Sequence, residues 1–264
     1  MTDPSDSFVT WTAEGPAFLV RLANPPANQL GDPLLDGLSA AVGAFETSAA
    51  RTLIIHSGLD GFFAAGADIK LMADADRATL RAYGDSMRAV LDRIAGMGRP
   101  SIAAIEGRAL GGGLELALAC DLRVALDTIK LGMPPAKLGL VYSHTGLRRF
   151  IDAIGAPRTR ELFLLGRYID APTALAWGLV NRLAPAAELE ATALELAAEL
   201  AGNAPLSQLG NKRVIAELLG AEGELLAEVE EQLIELRRAS FASQDMREGM
   251  KAFAEKRPPR WRGV

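Results

Sequence analysis

Cysteine and histidine are nearly absent from this sequence: Cys120, His56 and His144 are the whole set among 264 residues. A single cysteine cannot close an internal disulfide, so a disulfide-stapled fold is excluded. The same scarcity argues against a His/Cys zinc cluster and a Cys–His nucleophile pair, and no metal site is expected. Cys120 stands in an apolar run and reads as a buried, inert thiol. His56 lies in a strand-like segment that is apolar on both sides and reads as a core or strand-end histidine. Apolar runs of ~18 residues, the length that crosses a bilayer, are lacking, so no membrane partner is expected. The opening residues MTDPSDSF are polar and acidic, unlike a signal peptide. Nucleotide-binding and hydrolase signatures are missing too: there is no GxxxxGK[ST], no GxGxxG and no GxSxG. A net charge of −5 gives no general attraction to nucleic acid. These absences predict a soluble, cytoplasmic protein.

What the chain does have is apolar material, 49% of its residues, enough for a sizeable core. Residues 8–12 and 17–22 read as two strands joined by the turn signal Glu14-Gly15-Pro16, a hairpin. Asn24-Pro25-Pro26-Ala27-Asn28-Gln29 is a loop. Asp32 and Pro33 look like the N-cap and first residue of a helix whose apolar positions run from Leu34 to Phe45. Residues 52–56 form a buried strand, 58–66 a loop, 67–72 a short helix and 75–95 a longer amphipathic one. A strand at 101–105 precedes a helix, and short strands follow at 122–125 and 129–131. This alternation favours an α/β fold with crossover connections. After Met133 the pattern turns helical, over 148–153, 157–165 and 172–177, with one late strand at 179–183. Helices are then expected over 189–201, 205–219, 224–239 and 243–256. The organisation expected is a core over residues 1–200 and a helical C-terminal region over 201–264.

Two glycine-containing turns carry the chemistry. Residues 101–114 run from an apolar strand through Gly111-Gly112-Gly113 into a helix start, and Glu115 follows. Backbone without Cβ atoms admits another molecule close to the N–H groups. A helix start leaves N–H groups without partners and favours negative charge. Residues 61–70, Gly61 to Lys70, repeat the plan: a strand, small residues at 64–67, then a helix start. Two N–H groups from two such turns can converge on one oxygen, the geometry of an oxyanion hole. Glu115 alone reads equally well as a solvated first-turn acid.

The segments FFAAGADIK (62–70) and IEGRALGGGLELALACDLRVA (105–125) resemble the crotonase superfamily, the enoyl-CoA hydratase/isomerase family. The resemblance extends to NPPANQL (24–30), GLVNRLAP (178–185) and EGMKAFAEKRPP (248–259), and so spans nearly the whole chain. It implies a crotonase-like spiral of β-β-α units with a helical C-terminal trimerisation region, assembled as a homotrimer or a dimer of trimers. It implies a coenzyme A thioester as substrate, with no permanently bound cofactor. The thioester carbonyl would sit between the N–H groups of Ala67 and Gly112. Backbone around Ala65, Asp68, Ile69 and Lys70 would cradle the CoA, with Pro26 and Ala27 opposite. Lys70 would reach phosphate, and Phe253 and Lys256 match positions that reach the CoA of an adjacent subunit.

Glu115 matches the first of two acids that a hydratase of this family uses as paired acid and base. The second acid belongs to a segment of the form phenylalanine-glycine-x-proline-glutamate. Here that segment reads Leu131-Gly132-Met133-Pro134-Pro135, and Pro135 cannot transfer a proton. Nearby stand Tyr142 and His144. Tyr142 in this register is similar to the methylmalonyl-CoA decarboxylase branch, where a tyrosine helps orient the substrate carboxylate, although that branch carries a histidine where this chain has Ala67. Tyr142 is either a donor to substrate or a wall of the acyl pocket; His144 is either an acid/base or a packing residue at a helix start. The expected activity is that of an acyl-CoA enzyme of lyase or isomerase type, with Glu115, Tyr142 and His144 as catalytic candidates. Decarboxylation of a malonyl-type thioester and non-catalytic acyl-CoA binding are the alternatives.

Overall fold

The computed structural model describes residues 8–203, 205–221, 231, 234–235, 238, 241–257 and 259–260. Its strands are β1 (Val9–Glu14), β2 (Ala17–Leu22), β3 (Thr52–Ser57), β4 (Phe62–Ala64), β5 (Ser101–Ile105), β6 (Arg108–Leu110), β7 (Leu122–Leu126), β8 (Lys130–Gly132), β9 (Tyr168–Asp170) and β10 (Arg182–Ala184). Its helices are α1 (Asp32–Thr47), α2 (Ile69–Asp74), α3 (Arg77–Gly96), α4 (Gly112–Ala119), α5 (His144–Leu165), α6 (Ala171–Trp177), α7 (Leu189–Gly202), α8 (Pro205–Ala221) and α9 (Gln244–Ala254), with a 3₁₀ turn at Pro135–Leu138.

The strands form two sheets. The larger has the order β1-β2-β3-β5-β7-β10 and the smaller the order β4-β6-β8-β9. β1 and β2 pair antiparallel as the expected hairpin, and the remaining neighbours in the larger sheet are parallel. The pairs β3/β4, β5/β6 and β7/β8 each place a first strand in the larger sheet and a second in the smaller. Each pair is followed by helix. That is the β-β-α spiral, and it turns the chain through the same corner three times. The two glycine turns sit at the first two of those corners.

Strand period explains the layering. Leu53 and Ile55 of β3 face a core shared with α1, α3 and α4, including Leu38, Phe45, Leu91 and Leu114. Ile54, between them, faces a second core with Ile102, Ala104 and Val124, closed by Leu189, Ala193 and Leu196 of α7. With helices on both faces, β5 is buried along its whole length and reads as a continuous apolar run. At the edge, β1 is exposed beyond Thr10.

Several local expectations are corrected. β4 lies in a stretch read as loop, and β6 and β9 in stretches given no element; at three residues each they are too short for alternation to register. The cap of α1 is Gly31, in extended conformation, and Asp32 is already helical. The helices expected at 148–153 and 157–165 do form, as the two arms of α5, which the non-helical Gly155 (φ 75°, ψ 160°) separates just before Pro157. Only β10 remains of the strand expected over 179–183. The helix expected over 224–239 lies largely outside the described residues. Described parts of the C-terminal region touch the spiral: Lys212 of α8 bonds Asp121 at 2.7 Å. Gly249 of α9 lies so close to Leu138 that a Cβ would meet its carbonyl oxygen at 2.4 Å.

The two glycine turns are in direct backbone contact. A Cβ on Gly66 would lie 2.7 Å from the Gly112 nitrogen, and one on Gly113 would lie 2.0 Å from the Ala64 carbonyl oxygen. A Cβ on Gly112 would meet the mobile end of Met87 instead, at 2.6 Å. Gly113→Ala is therefore expected to destabilise by about 2 kcal/mol or more, and Gly112→Ala by clearly less. Urea unfolding of the two variants measures this, and equal losses would contradict the turn packing described here.

Candidate active site

The first turn is held from outside by the Asn24–Leu30 loop. Asn28 is fully buried; its Nδ2 donates to Ser57 Oγ (2.8 Å) and the Phe63 carbonyl (2.9 Å), and its Oδ1 accepts from Asn24 N–H (2.7 Å). Its φ of 50° is one that asparagine tolerates better than most residues. Leu30 N–H donates to the Gly66 carbonyl and Ala65 N–H to the Ala27 carbonyl, at 2.8 and 2.9 Å. The loop therefore runs beside Ala65-Gly66 like a short extra strand. Asn28 was not singled out in the sequence; the signal for it was a buried polar requirement inside a proline-rich loop.

The second turn is closed by Gly111, at φ 54° and ψ −125°. Gly111 N–H donates to Gly132 of β8, and its carbonyl accepts from Leu114 and Glu115 N–H. Gly112 then opens α4, where helix geometry gives its N–H no acceptor within the helix. Ala65, Ala67, Ile69, Gly111 and Gly112 all line one cavity of about 660 Å³.

Glu115 reaches the same cavity from the first turn of α4 although its side chain is only 7% exposed. The solvated-acid reading is thereby overturned. Tyr142 Oη donates to Glu115 Oε2 at 2.5 Å. The tyrosine ring is fixed by an edge contact with Phe163, centroids 5.5 Å apart, and lies over Gly146, where a Cβ would meet it at 2.4 Å. On the other carboxylate oxygen, Arg149 Nε stands 3.6 Å from Glu115 Oε1. His144 begins α5 behind its cap Ser143 and also lines the cavity. Pro135 is buried and forms part of the same wall. The remaining lining is largely apolar, with Met72, Leu80, Tyr83, Met87 and Met250 prominent.

Other expected residues are not gathered here. Asp68 accepts from Lys70 N–H at 3.0 Å, and the Lys70 side chain is exposed; neither lines the cavity. Pro26 is exposed beside the buried Ala27. Phe253 is 58% exposed, and Lys256, at φ 51°, is exposed too; both lie outside this cavity, whereas Met250, one turn earlier on α9, lines it. A second cavity of about 600 Å³ lies along α9. Within it Arg257 holds Glu248, whose carboxyl is pushed down to about 2 by that bond. Cys120 is buried and its thiol is pushed up to about 12 by desolvation, the inert state expected. His56 sits near a strand end with Nδ1 3.6 Å from Glu106. Among the described residues, no cluster of three His, Cys, Asp or Glu side chains is placed to hold a metal ion, and no helix is long and apolar enough to cross a membrane.

Known proteins resemble this chain along nearly its whole length. The sequence pattern of the enoyl-CoA hydratase/isomerase family matches residues 13–264. Mitochondrial methylglutaconyl-CoA hydratase of Rattus norvegicus is 39% identical over 243 residues, covering 89% of this chain and 76% of the relative. A probable enoyl-CoA hydratase of Bacillus subtilis is 38% identical over 253 residues, covering 93% of this chain and 95% of the relative. Among solved structures, methylmalonyl-CoA decarboxylase in complex with 2-nitronate-propionyl-CoA superposes with a TM-score of 0.89 at 27% identity, covering 97% of this chain and 99% of that one. With its family pattern matched from Ala13 to the last residue and its β-β-α spiral in place, the chain belongs to the enoyl-CoA hydratase/isomerase family.

Proposed function

We propose that this chain is an acyl-CoA enzyme that stabilises a thioester enolate between the N–H groups of Ala67 and Gly112, with Glu115 as the acid/base. The observation that carries this reading is the contact of Gly66 with the Gly112 nitrogen, beside a cavity that also contains Glu115. The two turns bring one free-ended helix start and one small-residue loop to a single place. An oxygen held there gains more from two donors as an enolate than as a neutral carbonyl, and only that difference accelerates a reaction.

In the simplest cycle Glu115 takes a proton from a carbon of the acyl chain. The C–H electrons pass into the thioester, and the carbonyl oxygen becomes the enolate oxygen. Returning the same proton to a different carbon moves a double bond and regenerates the carboxylate. Hydration asks for a second acid to manage a water. Pro135 stands in the wall where the family resemblance puts that acid, and it has no proton to give. Tyr142 keeps the Glu115 carboxylate oriented through its 2.5 Å hydrogen bond.

Decarboxylation of a malonyl-type thioester is the second reading, favoured by Tyr142 in the cavity with Pro135 and by the likeness to methylmalonyl-CoA decarboxylase. There the C–C bond to the carboxylate breaks, CO₂ leaves, and its electron pair forms the same enolate, which then takes a proton at the α-carbon. In both readings CoA lies along Ala65, Asp68, Ile69 and Lys70 with Pro26 and Ala27 opposite. Residues 201–264 serve trimer assembly and bring Phe253 and Lys256 to a neighbour's CoA.

A mass-spectrometric screen of enoyl-, malonyl-type and β-keto acyl-CoAs separates the two readings. Hydration of crotonyl-CoA is expected to be weak, and turnover at rates ordinary for two-acid hydratases would refute the part given to Pro135. A bound acyl-CoA at about 100-fold its dissociation constant adds about 2.7 kcal/mol, a rise in Tm of about 5–10 °C. Melting curves unchanged across the whole panel would remove the ligand assignment. Glu115→Gln should lower kcat by about 10²–10⁴-fold while leaving acyl-CoA affinity within a few-fold. Full activity in that variant would move the chemistry to Tyr142 or His144.

A further inference from the structure

Beneath Glu115 lies a half-buried cation that the proposed chemistry has not used. Arg149 is in the second turn of α5, and its side chain is 16% exposed. One end of its guanidinium, Nη2, bonds Asp92 of α3. At the other end, Nε is buried and has no hydrogen-bond partner among the described residues. The carboxylate beside it is Glu115, with Oε1 3.6 Å away, just beyond hydrogen-bonding distance. Arg148, its neighbour in sequence, points elsewhere and pairs with Asp152 at 2.7 Å.

We propose that Arg149, clamped by Asp92, is a positioning residue for Glu115: it fixes Oε1 while Tyr142 fixes Oε2, and so sets which way the carboxylate faces the substrate. This rests on the reading of Glu115 as the acid/base. The charged and ionisable groups around Glu115 come from α5, the residues just before it, and α3. Tyr142 and His144 stand before and at the start of α5, Arg149 within it, and Asp92 on α3 reaches Glu115 through Arg149. Asp85 and Arg88, also on α3, line the cavity and pair with each other at 3.7 Å.

The geometry suits positioning for a physical reason. A carboxylate that must take a proton and return it to a different carbon has to keep its lone pairs aimed along the acyl chain through the cycle. A single hydrogen bond leaves the group free to swing about that bond. A second contact on the other oxygen removes the freedom. Arginine's planar fork, already tied to Asp92, brings that contact with its own side-chain freedom largely lost. The unpartnered Nε closes on Oε1 with a movement of a few tenths of an ångström, which substrate entering the cavity can drive. Displacing a catalytic group by about 1 Å is enough to slow a reaction about 10²-fold.

The test uses the full chain and the acyl-CoA found to turn over. Arg149→Met should lower kcat about 10²-fold with KM changed by less than about threefold. Arg149→Lys, which keeps the charge without the fork, should fall between Arg149→Met and the unaltered protein. Ethylguanidine added to Arg149→Ala should restore part of kcat, and it should restore nothing in Glu115→Gln. Asp92→Asn, a change at a half-exposed side chain, serves if the Arg149 variants fail to fold: kcat should drop about tenfold with KM and Tm held. A crystal structure of Arg149→Met should show Glu115 in a different rotamer or in two. An unchanged kcat in folded Arg149→Met, or in Asp92→Asn where that variant alone folds, would overturn the proposal, as would Glu115 found in its original place. Calorimetry of acyl-CoA with the unaltered protein tests the underlying reading separately. If nothing binds, that reading falls, and the Glu115 rotamer in the crystal still decides whether Arg149 positions it.

Discussion

Everything about the site depends on one backbone contact, the approach of the Ala64–Ala67 turn to the start of α4. Gly66 presses on Gly112 and Gly113 presses on Ala64, so neither turn can shift without the other. The contact exists because β3/β4 and β5/β6 are successive passes of one spiral, each crossing from the larger sheet to the smaller at the same level. Parallel pairing of β3 with β5 and of β4 with β6 keeps the two corners in register. A side chain at either contact glycine would have to be accommodated by backbone, which has nowhere to go. The glycines are thus first a packing requirement, and the helix start at Gly112 beside the first turn is a consequence of meeting it.

The polar groups are arranged around that contact with the same economy. Asn28 uses three hydrogen bonds to tie its loop to β2, β3 and β4 and a fourth to Asn24 within the loop, and the loop in turn bonds both sides of Gly66. Burying an amide costs little when every polar atom is satisfied, and it leaves few alternative arrangements. Glu115 is buried by the opposite kind of surroundings, an apolar cavity wall with a phenol on one oxygen and a guanidinium near the other. A rigid frame of satisfied backbone thus holds one carboxylate whose partners are side chains, free to adjust to a substrate.

Much of this was readable from the residues because the decisive features are local. Glycines at 111–113 and small residues at 64–67 announce close backbone approach, and strand-to-helix transitions around them are visible in the apolar pattern. The hairpin, the buried strands β3 and β5 and the long helix α3 follow from hydrophobic period and stop signals. What could not be read depends on distance in space. The three-residue strands β4, β6 and β9 exist because longer neighbours offer them partners. The sequence Arg148-Arg149 shows two alike cations, and only the packing of α5 on α3 and α4 sends one outward to Asp152 and the other inward between Asp92 and Glu115. The bond of Tyr142 to Glu115 likewise depends on packing of its ring against Phe163 and over Gly146, which the apolar pattern does not reveal.

Pro135 shows why the fold and the reaction separate in this protein. The spiral and the paired turns need glycine, alanine and apolar strands, and none of these is affected by what stands at position 135. Proline in fact suits its place, as the first residue of a 3₁₀ turn whose N–H would go unpaired in any case. The scaffold therefore tolerates the exchange of an acid for a proline without strain, while the chemistry open to it narrows from two proton-handling groups to one carboxylate and its neighbours. In the proposed reading, reaction type is then governed by the wall facing Glu115: what Tyr142 and His144 hold, and how Arg149 steers the carboxylate. In the proposed reading an enolate site built from backbone is common to every such outcome, so side chains at the rim, rather than the glycines at the centre, would decide between moving a proton and releasing CO₂.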